Sequence, residues 1–559
     1  MREALMLMNK TGLRSFAPKV IMILFFIGCL LYPILQVLCN ITPAALKTVF
    51  GSAQFQGALV RSLTTTVTAT AISLILACIA AWAVVRTNMP ARNFFAVLFT
   101  VPMLIPSYSH ASGLIMLFGQ SGLLTKALHL DELFGSGTYI YGFWGVVAGC
   151  VMFAMPVAFI MIADIMKYQD STPYEAANVL GIPRKNQFFA ITYPYYRKPM
   201  ISVIFVVFTA IITDYGVPHI IGGQFSTLAS LMYNNTIKLL DYEKGGIYGA
   251  VLLIPAVLSF IMDFANKDKG NLAFIGKPFE IKPKLSRDLL ALLASAALML
   301  LMFLPIFSAG WRSVTAKYPT DMSLSLQHYG TVIFKSGFRY LFNSLLIAAV
   351  VAVVGVAVAY ADAYLTVRMK TKASRVLHLL TMTTMAVPGI VLGLSYVMVF
   401  KGSIIYNTFI ILMLVNMVHM FATPYLMLYN TFGKLNENLE DVGTTLGIGR
   451  LRMIKDVIVP ITKTTIWDAM SYFFAQCMKT ITAVAFLWTS RTKPLALKMD
   501  EYNANVEVEN VAVVTILILL INVLFKLLSY WRQQAALKNK NKLGKVAIPP
   551  QYAVQKTED

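Results

Sequence analysis

Apolar residues along this chain neither alternate nor keep to one helical face. They come in long runs, each closed by a cluster of charge, Gly or Pro. A run of about 20 mostly apolar residues is what a helix needs to cross the hydrocarbon core of a bilayer. About twelve such segments are expected, near residues 20–39, 63–85, 94–118, 140–166, 198–222, 246–264, 289–310, 341–366, 376–400, 404–431, 464–488 and 510–530. In lipid every backbone group must bond within its own segment, so helix is the expected form. The predicted fold class is an all-α polytopic membrane protein. The run after Lys19 is long and no small-residue cleavage site follows it, so it reads as a first span and not as a leader.

Composition agrees. Hydrophobic residues make up 57% of the chain and charged residues 13%, against about 25% charged in a soluble domain. The five cysteines (Cys29, Cys39, Cys78, Cys150, Cys477) are scattered through apolar segments without paired spacing. They read as small packing residues, giving neither a disulfide framework nor a metal site. A net charge of +21 could suggest nucleic acid, but its distribution argues otherwise. With the N-terminus inside, roughly two-thirds of the basic residues fall on the inner side of the expected spans, in runs such as Arg368–Lys372 and Lys538–Lys545. The excess is a topology signal: both termini are expected in the cytoplasm, and no nucleic-acid partner is expected.

The chain repeats itself. Ser62-Leu63 matches Ser344-Leu345 and Val85-Arg86 matches Val367-Arg368, all 282 residues apart, and Pro106 meets Pro388 at the same offset. The offset then falls to 268 for Pro156 and Pro424 and to 266 for Gly181 and Gly447, because the first half has a longer outer loop around Gly119–Gly142. Six spans per half give both halves the same orientation, hence two parallel, pseudo-twofold-related halves. The expected organisation is a tail and first helix (1–56), a first domain (57–264) and a linker with the seventh helix and an outer loop (265–340). A second domain (341–531) and a basic cytoplasmic tail (532–559) complete it. The join, Asn266–Asp288, is basic and carries Gly and Pro.

Between the fourth and fifth spans lies Tyr174–Pro194, YEAANVLGIPRKNQFFAITYP. Thr172 is placed to cap a short helix, with Pro173 at its first position and Glu175 completing a capping box. Gly181 supplies a left-handed stop. This segment resembles the EAA loop of type I ABC importer permeases, whose pattern is EAA, three residues, Gly, nine residues, Ile, any residue, Leu-Pro. Glu175, Ala176, Ala177, Gly181, Ile191 and Pro194 match at that spacing, with Tyr193 in place of Leu. The second half repeats the intervals in a degenerate copy: Asp441, Val442, Gly443, Gly447, Val457 and Pro460, with Asn438 as the expected cap. The resemblance implies that each loop is a coupling helix docking on an ATPase subunit. An acid at such a helix N-terminus suits the helix dipole.

No GxxxxGK[ST] loop occurs, so no nucleotide site, catalytic residue or cofactor is assigned to this chain. The resemblance places ATP and Mg on a partner ABC ATPase dimer. It adds an extracytoplasmic substrate-binding protein and membrane lipid as further partners, with the bacterial cytoplasmic membrane as the location. Fusion of two such domains in one chain is similar to the ferric-iron importer permeases. Asp214–Pro218 followed by Leu228–Tyr233 looks like their "DFGVP … LA … Y" region, which relatives with other cargoes share. Ferric iron is the expected cargo; 2-aminoethylphosphonate, thiamine or a polyamine is the alternative. A major-facilitator-type transporter is a remote rival, without such loops. His219, His328, His378 and His419 are isolated, and no metal-ligand set is assigned.

Possible gate or pathway residues are Pro106, Pro388, Asp214, Tyr215 and Lys479. The prolines mark expected kinks in spans three and nine, with Pro102. Asp214 and Lys479 each fall about 24 Å into their spans and carry opposite charge, which suggests pairing across the pseudo-twofold axis. In the alternative, Lys479 snorkels and Asp214 bonds the Gly216–His219 turn. The Thr64–Thr70 run is read as interhelical packing.

Overall fold

A computed structural model describes residues 17–129, 132, 138–266, 277, 279–335, 337–436 and 438–546. In the first half the main elements are α1 (Ala17–Cys39), α2 (Ala53–Arg86), α3 (Arg92–Leu98), α4 (Ser107–Phe118) and α5 (Phe143–Lys167). They are followed by α6 (Thr172–Val179), α7 (Tyr193–Ile212), α8 (Gly216–Ile221), α9 (Leu228–Lys238) and α10 (Tyr242–Asn266). The second half holds α11 (Leu285–Ser313), α12 (Phe338–Val367), α13 (Lys372–Thr383), α14 (Gly389–Phe400) and α15 (Phe409–His419). It ends with α16 (Ala422–Gly433), α17 (Leu439–Thr445), α18 (Val459–Lys479), α19 (Leu495–Ala504) and α20 (Val508–Val546). After α11 a short antiparallel ladder pairs Thr315 with Leu324 and Lys317 with Asp321.

Among the described residues, eight helices are long and apolar enough to cross a membrane, and eleven spans result if each bent pair is one. The expected twelfth is the segment near 464–488. It is helical as α18, but Lys463, Asp468, Gln476 and Lys479 interrupt its apolar surface, and the helix stops at Lys479. The kinks expected at Pro106 and Pro388 are full breaks. The helices before and after them turn by 97° and 108°, and each proline stands in extended backbone as the N-cap of the next helix. Proline offers no amide to the preceding turn, so the backbone restarts there. The span expected at 404–431 is likewise two helices at 53°, and the tail stays helical to Val546.

The halves repeat in detail. The Leu228 amide donates to Ser62 Oγ at 2.6 Å, and the Leu495 amide to Ser344 Oγ at 2.8 Å. Arg61 reaches the Gln224 carbonyl just as Asn343 reaches the Arg491 carbonyl. Each bond ties the second span of its half to the loop before a partly buried helix, α9 or α19. At the other end of the bundle Arg86 bonds the Met166 carbonyl, while Arg368 bonds the Leu435 and Asn436 carbonyls. A cation there satisfies carbonyls left over at a helix C-terminus.

The leading span of each half packs across onto the other. α1 lies along α14, with Phe26 edge-on to Phe421 and the Tyr396 hydroxyl on the Cys29 carbonyl at 2.7 Å. The buried Lys19 Nζ bonds the Met369 carbonyl and Thr371 Oγ1. α11 packs on α2 and α4, where Gly113 meets Pro305 so closely that a Cβ would sit 2.5 Å from the proline ring. Asp288 accepts from the Asn88 amide. The two halves are therefore interlocked, and the core runs through both.

Candidate functional site

The two EAA-like loops are built alike. At residue 170 the Asp side chain accepts from the Thr172 amide at 3.0 Å, and at 436 the Asn side chain accepts from the Asn438 amide at 3.0 Å. These Asx turns launch α6 and α17. Sequence reasoning placed the caps at Thr172 and Asn438. The N-cap of α6 is Ser171, one residue earlier, while Asn438 is the N-cap of α17 as expected. Neither N-cap side chain accepts a backbone amide of its helix; the short Asp170 and Asn436 side chains bond the Thr172 and Asn438 amides instead. Glu175 therefore completes no capping box. Its carboxylate takes Ser171 Oγ and Lys277 Nζ, each at 3.0 Å.

Both helices end on a left-handed glycine, Gly181 at φ +67° and Gly447 at φ +69°. The next amide folds back on the helix in each: Ile182 to the Ala177 carbonyl at 2.9 Å, Ile448 to the Gly443 carbonyl at 2.8 Å. A short helix and one wider turn follow in each loop, and α7 and α18 then start with Pro194 and Pro460 in their first turns, where a missing amide costs nothing. Glu175, Ala176, Pro194, Asp441 and Pro460 are exposed, while Ala177 and Gly443 face inward. Val179 and Leu180 on the first loop, and Val442 and Leu446 on the second, are large apolar side chains left in the open.

The degenerate copy is packed differently. Gln187 packs under the first helix and bonds Asn178 Oδ1 and the Ile182 carbonyl. Its counterpart is Met453, whose Cε would lie 2.4 Å from a Cβ on residue 443. In its present rotamer methionine occupies the space an alanine Cβ at 443 would need. Anchoring differs too. Arg368 holds Glu440 on α17 by an ion pair. In the first half Arg86 bonds Gln169 and lies over the Phe279 ring at 3.8 Å, which meets Tyr174 edge-on. Lys277 adds backbone bonds to Ser171 and Asp170, so Lys277 and Phe279 are seated on the first loop. Hydrogen bonding from Lys277 and then Ser171 holds the Glu175 carboxyl below its usual range, and the same pair raises Lys277.

Between the halves lies a cavity of about 450 Å³ lined by Pro106, Asp214, Pro388, His419 and Lys479. It brings together four of the five suspected pathway residues. Tyr215 lies off it, stacked on Tyr233 with centroids 4.4 Å apart. Asp214 and Lys479 do not form the suspected ion pair. Asp214 accepts from Ser107 Oγ at 2.6 Å and from the Val217 amide at 2.9 Å, capping α8. Lys479 donates to the Met103 carbonyl at 2.6 Å. Each side chain bonds groups near its own helix end and not the other.

Sequence reasoning missed the contacts that join the halves at the end remote from the loops. His219 Nε2 lies 3.1 Å from Asp500 Oδ1, and the Tyr108 hydroxyl donates to the Met499 carbonyl. Asp500 sits on α19, a helix too polar to register as a span. A buried acid, Asp362, bonded by Thr366 and Thr381, was also missed, although it stands in the sequence within the expected span 341–366.

Residues 73–267 and 352–536 both match one family, described as "Binding-protein-dependent transport system inner membrane component". Among curated proteins the chain is 26% identical to "Ferric transport system permease protein FbpB" of Actinobacillus pleuropneumoniae over 432 residues, 74% of this chain and 62% of that protein. It is 25% identical to "Putative ferric transport system permease protein FbpB 1" of Haemophilus influenzae, over 74% of this chain and 67% of that one. A "Spermidine/putrescine transport system permease protein PotC homolog" of Mycoplasma genitalium is 24% identical over 37% of this chain and 68% of its own length. The chain thus spans less than two-thirds of the first relative's length. With the same domain matched in each half, the chain belongs to the binding-protein-dependent transport system inner membrane component family.

Proposed function

We propose that this chain is the permease subunit of an ATP-driven importer, with α6 and α17 as its two coupling helices. The observation that carries this is the duplicated loop: a short helix closed by a left-handed glycine, with an exposed acid and open apolar residues at both copies. Exposed apolar groups in register on one end of a membrane bundle call for a protein partner. One fused chain offering two such knobs suits a dimer of ATPase subunits, which hold the ATP and Mg. The excess of basic residues in the loops at this end supports a cytoplasmic side for it and for both termini.

Cargo enters from an extracytoplasmic binding protein and passes between the halves, through the cavity that Pro106 and Pro388 border. Ferric iron is the first choice, supported by the names of the two relatives that match nearly three-quarters of the chain. The shorter polyamine-permease match makes a polyamine the second reading. Selection is assigned to the binding protein: among the described residues no three His, Cys, Asp or Glu side chains converge as a metal site.

The test is reconstitution of the chain with an ABC ATPase and binding protein from the same bacterium. Uptake of radiolabelled ferric iron that requires ATP and the binding protein supports the reading. Polyamine uptake under the same conditions would replace iron as cargo, and failure of the chain to bind any ATPase would overturn the permease assignment.

A further inference from the structure

A second cavity, of about 490 Å³, lies beside the first, between α18, α20 and the Met103–Leu104 turn of the first half. Lys479 borders both cavities, and Lys526 enters the second from α20. The two ammonium groups converge on the same short stretch: Lys479 bonds the Met103 carbonyl, and Lys526 lies 3.4 Å from Thr100 Oγ1. Among the described residues neither has a carboxylate partner. The acid that lines this cavity, Asp468, lies on α18 eleven residues before Lys479, about 16 Å along the axis.

Charges within a span are expected to pair, because removing an ion from water costs several kcal/mol unless a counter-charge repays it. Here two like charges share one cavity, and its one acid, Asp468, stands well along α18 from Lys479. The remaining polar lining is also incomplete. Ser471 Oγ and Ser529 Oγ are buried without a partner, and the nearly fully buried Asn522 has its Oδ1 free while its amide bonds the Leu104 carbonyl. Two ammoniums and two hydroxyls offer donors to an oxyanion, and the Asn522 oxygen suits a hydroxyl carried by the same ligand.

The arrangement is not required by the shared architecture. α10 and α20 start at Tyr242 and Val508, 266 residues apart, and at that offset the counterparts of Lys526, Asn522 and Lys479 are Phe260, Ala256 and Thr213. The first half manages without these charges. Tyr530 on the rim is more than half exposed, so the cavity reaches the lipid-facing surface of the bundle.

We propose that this cavity is a binding site for a phosphate-type oxyanion bearing a hydroxyl, held by Lys479 and Lys526 and bonded by Ser471, Ser529 and Asn522. Either an anionic phospholipid headgroup such as phosphatidylglycerol or free inorganic phosphate has this chemistry. The site does not depend on the identity of the cargo.

The test uses the full-length protein in nanodiscs of phosphatidylcholine alone or with phosphatidylglycerol. Lipid retention is read by native mass spectrometry and inorganic phosphate binding by calorimetry, for wild type, K526M and the K479M/K526M double variant. Methionine keeps the side-chain volume and removes the charge. One retained phosphatidylglycerol per wild-type chain, lost in the double variant, assigns the site to lipid. Saturable phosphate binding in pure phosphatidylcholine, weakened about tenfold or more in K526M, assigns it to the free anion. Wild-type protein that binds neither probe, or binds them as well as the double variant does, overturns the proposal; the wild-type measurement alone decides if a variant fails to fold.

Discussion

Lys277, in the segment that joins the two halves, forms an ion pair with Glu175 on α6 at 3.0 Å. Among the described residues α17 has no matching strap; its Glu440 is held from inside the bundle by Arg368. One knob is tethered from outside and the other from within, so their responses to perturbation should differ.

The strap should be sensitive to salt and insensitive to pH near neutrality. Glu175 is lowered from its ordinary 4.5, so its share of the contact is present above that value and lost as pH falls through the lowered pKa. Lys277 is raised from 10.5, so its share is present below that value and lost as pH rises through the raised one. Both groups are exposed, and exposed pairs are weak and screened. Amide protection at Ser171 and Lys277, taken relative to the intrinsic exchange rate at each pH, should fall with salt and in Lys277→Ala, and stay flat from pH 6 to about 9. Equal exchange in K277A and wild type would show that the pair does not hold the strap.

Gly181→Val and Gly447→Val should uncouple ATP hydrolysis from uptake. No atom lies within 4 Å of a Cβ at either position, so the cost is backbone strain alone, about 1–3 kcal/mol for a non-glycine residue at positive φ. That is enough to unwind the last turn of a short helix while leaving the spans folded. Gly181 should matter more, since its loop keeps the fuller motif. Normal uptake in the double variant would remove the coupling role from these loops.

Gly443→Ala should disturb the second loop, and Met453→Ala should rescue it. The added Cβ meets Met453 Cε at 2.4 Å. Overpacking costs about 1–3 kcal/mol, with the low end expected because methionine bends. A double-mutant cycle in ATPase binding should show coupling above about 0.5 kcal/mol; additive effects would mean the two residues do not compete for space.

How much of this was legible beforehand follows from the range of each interaction. The glycine stops could be read because φ above zero is a local demand that leaves glycine at a fixed spacing, and the repeat put them in register. The cap of α6 lies one residue before the expected Thr172, and Asn438 holds its expected cap position without bonding its helix, because Asp170 and Asn436 offer competing side chains and a sequence does not rank them. The depth of Asp214 and Lys479 could be computed from helix rise, and both do reach one cavity. Their partners could not: Ser107 and Met103 come from a helix break whose 97° turn has no signature beyond Pro106. α18 was hard to classify for the same reason, since its polar face is paid for by cavities formed only in the folded bundle.

Swapping Asp214 and Lys479 should therefore give no rescue. Asp214→Lys removes the cap on α8, worth about 0.5–2 kcal/mol, and buries a new cation. Lys479→Asp leaves the Met103 carbonyl facing a carboxylate. The damage to expression and uptake should add within about 0.5 kcal/mol. Recovery of the swapped protein beyond that margin would mean that the two side chains meet during the transport cycle.

Closure at the end remote from the coupling loops should instead depend on His219 and Asp500. They come from opposite halves, meet at 3.1 Å, and are backed by the stacked Tyr215 and Tyr233 rings and by the Tyr108 bond to the Met499 carbonyl. Opening the cavity to that side requires the α8 and α19 segments to part, so a tether between them should trap it shut. With His219→Cys and Asp500→Cys in a background lacking the five native cysteines, a short bifunctional thiol reagent should abolish uptake, and the singly substituted proteins should be unaffected by it. ATP binding by the proposed ATPase partner should persist, because the tether lies at the far end of the bundle from α6 and α17. A crosslinked protein that still transports at the untreated rate would place the moving seal elsewhere.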